Sequence, residues 1–185
     1  MPTWVVTTPL IGGVNPKIDT SGVSTLTEFA LGSVVKAKDS TLGEAEFILL
    51  TGVASTEIGS VVTYEGGRYQ SALLIANASS ISAVSGRHVA VAMSANLADA
   101  KGWYCIRGNV PVLKNTSYAS ALLAFSSSAA GSVKSATTSG QAIERMFSIA
   151  STTGSVNSAT TASTDTVVMQ LHYPSVEAVP PPATG

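Results

Sequence analysis

The chain has 185 residues, a length that suits one folded body with enough interior to bury a real core. Only 11% of the residues are charged, the net charge is -1, and Ser and Thr fill about a quarter of the positions, so the polar surface is largely hydroxyl. That balance leaves no electrostatic footprint for nucleic acid or an acidic membrane face, and it protects a free monomer poorly against association, which points to work inside an assembly.

Residues 1–30 are expected to form an extended N-terminal arm, because Pro2, Pro9 and Pro16 interrupt any helix and favour an outstretched path. Trp4, Val5, Val6, Leu10 and Ile11 are wasted on a dangling tail, so they are expected to dock on another surface, a trimer mate or a different protein. The opening residues carry no basic stretch, and nowhere do about 20 apolar residues run together. The expectation is synthesis in a cytoplasm, without a leader or a membrane span. A single cysteine makes no internal disulfide and implies no oxidising compartment.

Residues 31–178 read as a β-rich body. Runs such as GSVVKAK, AEFILLTGV, HVAVAM, GWYCIRGNVPVL and TVVMQLHY are rich in Val, Ile, Thr and Tyr, and turn residues separate them at intervals of roughly ten positions. The expected fold is all-β: an antiparallel β-sandwich or barrel, jelly-roll-like or β-tulip-like, with the extended arm attached. Tyr64–Tyr69, YEGGRY, places two glycines between strand-like halves and is the clearest hairpin turn. Gly-Ser-Val recurs at 32, 59, 131 and 154 with unequal spacing, which does not support a solenoid. A glycine that ends a turn before a β-branched residue enters a strand explains the recurrence. Ser94–Gly102 is the one plausible helical turn or long loop, the Ser/Thr-rich stretches after Phe125 and Ala150 are expected as outer loops, and residues 179–185 form a Pro-rich tail.

Chemistry finds few anchors. His88 and His172 stand apart in sequence on strand-like runs and suit structural roles, and Cys105 between Tyr104 and Ile106 suits packing better than nucleophilic attack. Glu44 and Glu46 share a strand face, and with Asp39 they lack the ligand order of a calcium loop. No phosphate-binding, nucleophile-elbow or zinc-protease motif occurs, so the expectation is no enzyme, no cofactor and no metal. In GWYCIRG, alternation puts Trp103, Cys105 and Arg107 on one face and Tyr104 and Ile106 on the other. The run suits either a core strand whose arginine reaches solvent or a partner contact made by Trp103, Tyr104 and Arg107, types common at interface hot spots.

The order GSVVKAKDSTLGEAEFILLTGVASTEIGSVVTYEG, then VAVAMSANLADAKGWYCIRGNVPVLKN, then a Ser/Thr-rich segment and a closing VVMQLHYPS resembles small head proteins of tailed bacteriophages over about residues 30–176. The resemblance implies a capsid decoration, or cement, protein: a β-rich body, usually trimeric and without catalysis, that sits on the outer surface of the shell built by the major capsid protein. The long proline-bearing arm and the long Ser/Thr loops depart from that pattern. A host-attachment or carbohydrate-binding β-module is the alternative, although aromatic residues, at 6%, are few for sugar stacking. A small hydrolase built on Cys105 is the enzyme alternative.

Overall fold

Strand-forming residues flank glycine-rich turns along most of the body, and the described residues accordingly form strands and no helix. The computed structural model describes residues 4–7, 29–76, 85–95, 98–115, 118, 123–134, 142–155 and 165–177. Its strands are β1 (Val5–Val6), β2 (Val34–Asp39), β3 (Gly43–Thr51), β4 (Val61–Tyr64), β5 (Ser71–Leu73), β6 (His88–Ala92), β7 (Lys101–Leu113), β8 (Leu123–Ser126), β9 (Val133–Lys134), β10 (Ala142–Ser155) and β11 (Asp165–Val176). They pair antiparallel in one sheet, in the order β1-β2-β3-β7-β6-β11-β10-β8-β9, with β4 joining β6 to β5. The sheet is not closed, and the all-β, sandwich-like character expected from the sequence is present.

Two hydrophobic clusters lie on opposite faces of the central strands. The larger runs from Trp4 and Val6 through Phe47, Leu49, Trp103 and Cys105 to Met146, Met169 and Leu171. The smaller holds Ile48, Leu50, Val62, Tyr64, Ala90, Ala92, Tyr104 and Ile106. Strands β3, β7, β6, β4 and β5 are successive neighbours around this second cluster, and a parallel bridge from Thr51 to Gln70 brings the start of β5 against the end of β3. Ser71 Oγ reinforces that seam by donating to the Thr51 carbonyl at 2.8 Å. It also lies 3.3 Å from the fully buried Tyr104 hydroxyl, so the one polar end of that ring has a partner inside the core.

Three of the four Gly-Ser-Val stretches place their glycine at positive φ: Gly32 (83°), Gly59 (84°) and Gly131 (75°). Each is followed two residues later by the first residue of β2, β4 or β9. Left-handed backbone ends the turn at the glycine and the valine then enters the pleat, as the sequence reading expects. Tyr64–Tyr69 forms the β4–β5 hairpin, with Tyr64 opposite Ser71. The described part of Ser94–Gly102 is bend and turn, without helix; Asn96 and Leu97 lie outside the described residues.

The arm expected over residues 1–30 is, in its described part, a strand of the chain's own sheet. β1 pairs with β2 through Val5 opposite Lys38 and Val6 opposite Ala37, and the Thr7 amide donates to the Lys36 carbonyl at 2.8 Å. Trp4 and Val6 share one face and are only 6% and 7% exposed, with the Trp4 ring meeting Phe47 edge-on at 5.0 Å. Val5 points the other way and is 60% exposed. Within one chain the grip expected on a partner is therefore a grip by Trp4 and Val6 on the body itself, because alternation along the strand splits the apolar residues between core and solvent. Leu10, Ile11 and the tail at 179–185 lie outside the described residues.

Candidate functional site

Charged residues two apart on β2 and two apart on β3 meet across their hairpin, Lys36 opposite Glu46 and Lys38 opposite Glu44. Asp39 shapes the turn between them: its carboxylate accepts from the amides of Thr41 at 2.8 Å and Leu42 at 2.9 Å. Its oxygen is thereby committed to the backbone. Among the described residues no group of three or more His, Cys, Asp or Glu side chains is placed to hold a metal ion.

A β-bulge brings Arg107 to the same carboxylate. On β7, Arg107 lies opposite Glu46 and Cys105 opposite Phe47, which leaves Ile106 as an extra residue against β3. The phase of burial changes there. Trp103 and Cys105 enter the larger cluster before the bulge, Val110 and Val112 after it. Strict alternation places Arg107 with Trp103 and Cys105; the bulge corrects this by turning Arg107 out to pair with Glu46, its Nη1 donating to Oε1 at 2.9 Å. Trp103 and Tyr104, also expected at a partner surface, are buried on the two faces of the sheet, with Phe29 edge-on to Trp103. Both faces of this strand are covered within the chain itself.

Tyr173 completes the group from β11. His172 still pairs with Arg107, but the next residue has φ 53°, and the β10–β11 register slips between Glu144 and Met146. Tyr173 thus leaves the pleat, and its hydroxyl donates to Glu46 Oε2. Left-handed backbone is costly for a non-glycine residue and more so before a proline, here Pro174. The hydrogen bond helps to hold that conformation, and the ring remains 49% exposed.

Glu46, 8% exposed, is the hub, receiving Arg107, Tyr173 and, at 3.6 Å, the Lys36 ammonium. Burial works against its ionisation, but the Tyr173 and Arg107 hydrogen bonds and the two nearby cations outweigh it and hold the carboxyl below the usual glutamate range. The Glu46 hydrogen bond, aided by burial and its charge, raises the Tyr173 phenol, and the same carboxylate raises the Arg107 guanidinium. Burial pushes the Cys105 thiol far up, so it stays protonated and donates to the Arg107 carbonyl at 3.3 Å. Glu46, Lys36 and Arg107 line a cleft of about 270 Å³ together with Thr7, Asn109 and Gln170. The root of the arm and the GWYCIRG strand, a hundred positions apart in sequence, meet there.

A depressed carboxyl contributes stability that is present above its unfolded pKa and is lost as pH falls through the folded one. Glu46→Gln is therefore expected to lower stability at pH 7 by about 1 kcal/mol, since its cationic partners are solvent-exposed. It should also flatten the fall in melting temperature between about pH 5 and pH 3 relative to the parent chain. Melting curves across that window check the difference.

Of the sequence-derived candidates, the structure brings Arg107 to the cleft beside the end of β1, exposes Val5 nearby on that strand, and buries Trp4, Val6, Trp103 and Tyr104. Sequence reasoning missed Lys36, Glu46 and Tyr173 as a group. The pairing of Lys36 and Lys38 with Glu44 and Glu46 around a turn was an available signal for the first two. Tyr173 gave none, because its placement depends on a register slip. Comparison with protein-family models, with curated proteins and with solved structures yields no match for the chain. The class that fold and site define is a sandwich-like all-β protein with an edge strand beside a charged cleft.

Proposed function

We propose that the chain is a capsid decoration protein of a tailed bacteriophage. On this reading it is made in the host cytoplasm, assembles as a homotrimer and binds the outer surface of the major capsid protein shell at local three-fold positions, without contacting nucleic acid or membrane. The observation that carries the reading is the joining of the arm's root and the Arg107 strand on one cleft, at the open edge of the sheet. The residue pattern over about 30–176 supports it, and so does a surface thin in charge. An edge strand offers unpaired backbone groups to a shell subunit; Val5 on that strand is exposed, as are Arg107 of the cleft and Tyr173 on Glu46, and all three are side chains suited to a contact.

Three weak contacts on one trimer act together, because the second and third attachments are intramolecular. The test is co-sedimentation of the purified protein with expanded, emptied head shells, followed by electron microscopy of the decorated particles. Val5→Asp and Arg107→Ala lie at exposed positions and should leave the circular dichroism of the fold intact. A loss of about 1 kcal/mol per contact compounds over three contacts to about 3 kcal/mol, more than a hundredfold in apparent affinity. Shell binding unchanged in both variants removes this surface from the mechanism. A saccharide-binding module is the second reading, favoured by the half-exposed Tyr173 ring and by the amide side chains of Asn109 and Gln170 that line the cleft. Glycan-array binding without shell binding would select it.

A further inference from the structure

We infer that β1 is an exchanged strand: in the assembled protein, residues 4–7 of each copy lie on β2 of a neighbouring copy. Recognition of this segment is local. It rests on two residue pairs with β2, the Thr7 amide on the Lys36 carbonyl, and the insertion of Trp4 and Val6 into the larger cluster, where Trp4 meets Phe47. All of these contacts are made by residues 4–7, so the β2 edge accepts the strand equally well from its own chain or another.

The connection is far longer than self-pairing needs. β1 runs antiparallel to β2 and leaves Thr7 towards the Val34 end, where the Ser33 amide donates to Ala30 and Gly32 to Leu49. Such ends are ordinarily joined by a hairpin of about 2–5 residues. This chain has the 21 residues from position 8 to position 28, with Pro9 and Pro16 among them. That length reaches up to about 70 Å when extended, enough to cross to another copy of a small domain. Closing it back on the same chain carries an entropic cost that grows with its length, whereas a neighbour held in an oligomer presents the same edge at a comparable effective concentration.

In a closed oligomer each donated strand is matched by a received one, so no edge is left empty. The inference adds the means by which copies are linked, and it does not depend on what the assembly binds.

Cysteine trapping tests it in the full chain. Val5 and Lys38 are directly opposed on adjacent antiparallel strands, a spacing that a disulfide bridges, and native Cys105 is fully buried and stays out of the reaction. The double variant Val5→Cys with Lys38→Cys is oxidised mildly and run without reductant, with light scattering to give its mass. The expected result is covalent dimers and trimers whose linking peptides join position 5 of one copy to position 38 of another. Co-folding the two single variants should give the same mixed bridge between chains. An internally bridged monomer as the sole product overturns the exchange. So does the absence of any bridge with the fold intact, because neither copy's strand then lies on β2. Shell binding is not read in this experiment, so its outcome and that of the capsid reading are separable.

Discussion

Trp4→Ala is expected to lower the melting temperature by on the order of 10 °C, although it changes a residue only four positions from the amino end. Emptying a buried tryptophan site costs about 3–5 kcal/mol in lost transfer energy and cavity. Two features hold the loss to that range. The indole nitrogen is buried without a hydrogen-bond partner, so the native contact is already offset by one unsatisfied donor. In addition, β1 has only two paired residues and can come away as a unit, so the damage cannot exceed the free energy with which residues 4–7 dock. Deleting residues 1–7 should therefore destabilise the fold about as much as Trp4→Ala. Val5→Ala, at a 60% exposed site, should stay within about 0.5 kcal/mol of the parent. Thermal melts with tryptophan fluorescence separate the cases, since Trp103 remains as the only reporter in the variant. A melting temperature within a degree of the parent would place Trp4 outside the core and return the segment to the status of a tail.

What the sequence made legible was local, and what it hid was set by partners far along the chain. Turn chemistry is local: the left-handed glycines of three Gly-Ser-Val stretches and the β4–β5 hairpin follow from residues within a few positions. The split of Trp103 and Cys105 from Tyr104 and Ile106 follows from a period of two. The orientation of Arg107 does not, because a bulge is defined by two strands together and β3 stands sixty residues away. Tyr173 is 127 positions from the Glu46 that it meets, and its position depends on a slip between β10 and β11. The arm shows the same limit from the other side. Its apolar residues signalled docking, but the surface receiving them, β2 and Phe47, lies beyond an intervening stretch whose composition says nothing of where the chain returns.

Gly108→Ala is expected to be more damaging than any other single methyl added at the site. Gly108 has φ +112°, a conformation that side chains rarely adopt, and a Cβ there would stand 2.6 Å from the Ala45 Cβ and 2.7 Å from the Glu44 carbonyl oxygen. Both obstacles are held by paired β3, so neither can swing aside as the end of a long side chain would. Backbone strain of about 1–3 kcal/mol and overpacking of about 1–3 kcal/mol act together, for a loss of roughly 3–5 kcal/mol. Gly43→Ala is the comparison that divides the two causes, since Gly43 also has positive φ (84°) but an added Cβ meets nothing within 4 Å. It should cost only about 1–2 kcal/mol. The excess at Gly108 measures how closely β3 and β7 approach. That approach sets Arg107 opposite Glu46, so Gly108→Ala should also weaken the acid-dependent part of the stability that Glu46→Gln removes. Equal costs at the two glycines would mean that the strands do not meet as closely as the Glu46 cluster requires, and the cleft would lose its geometric basis.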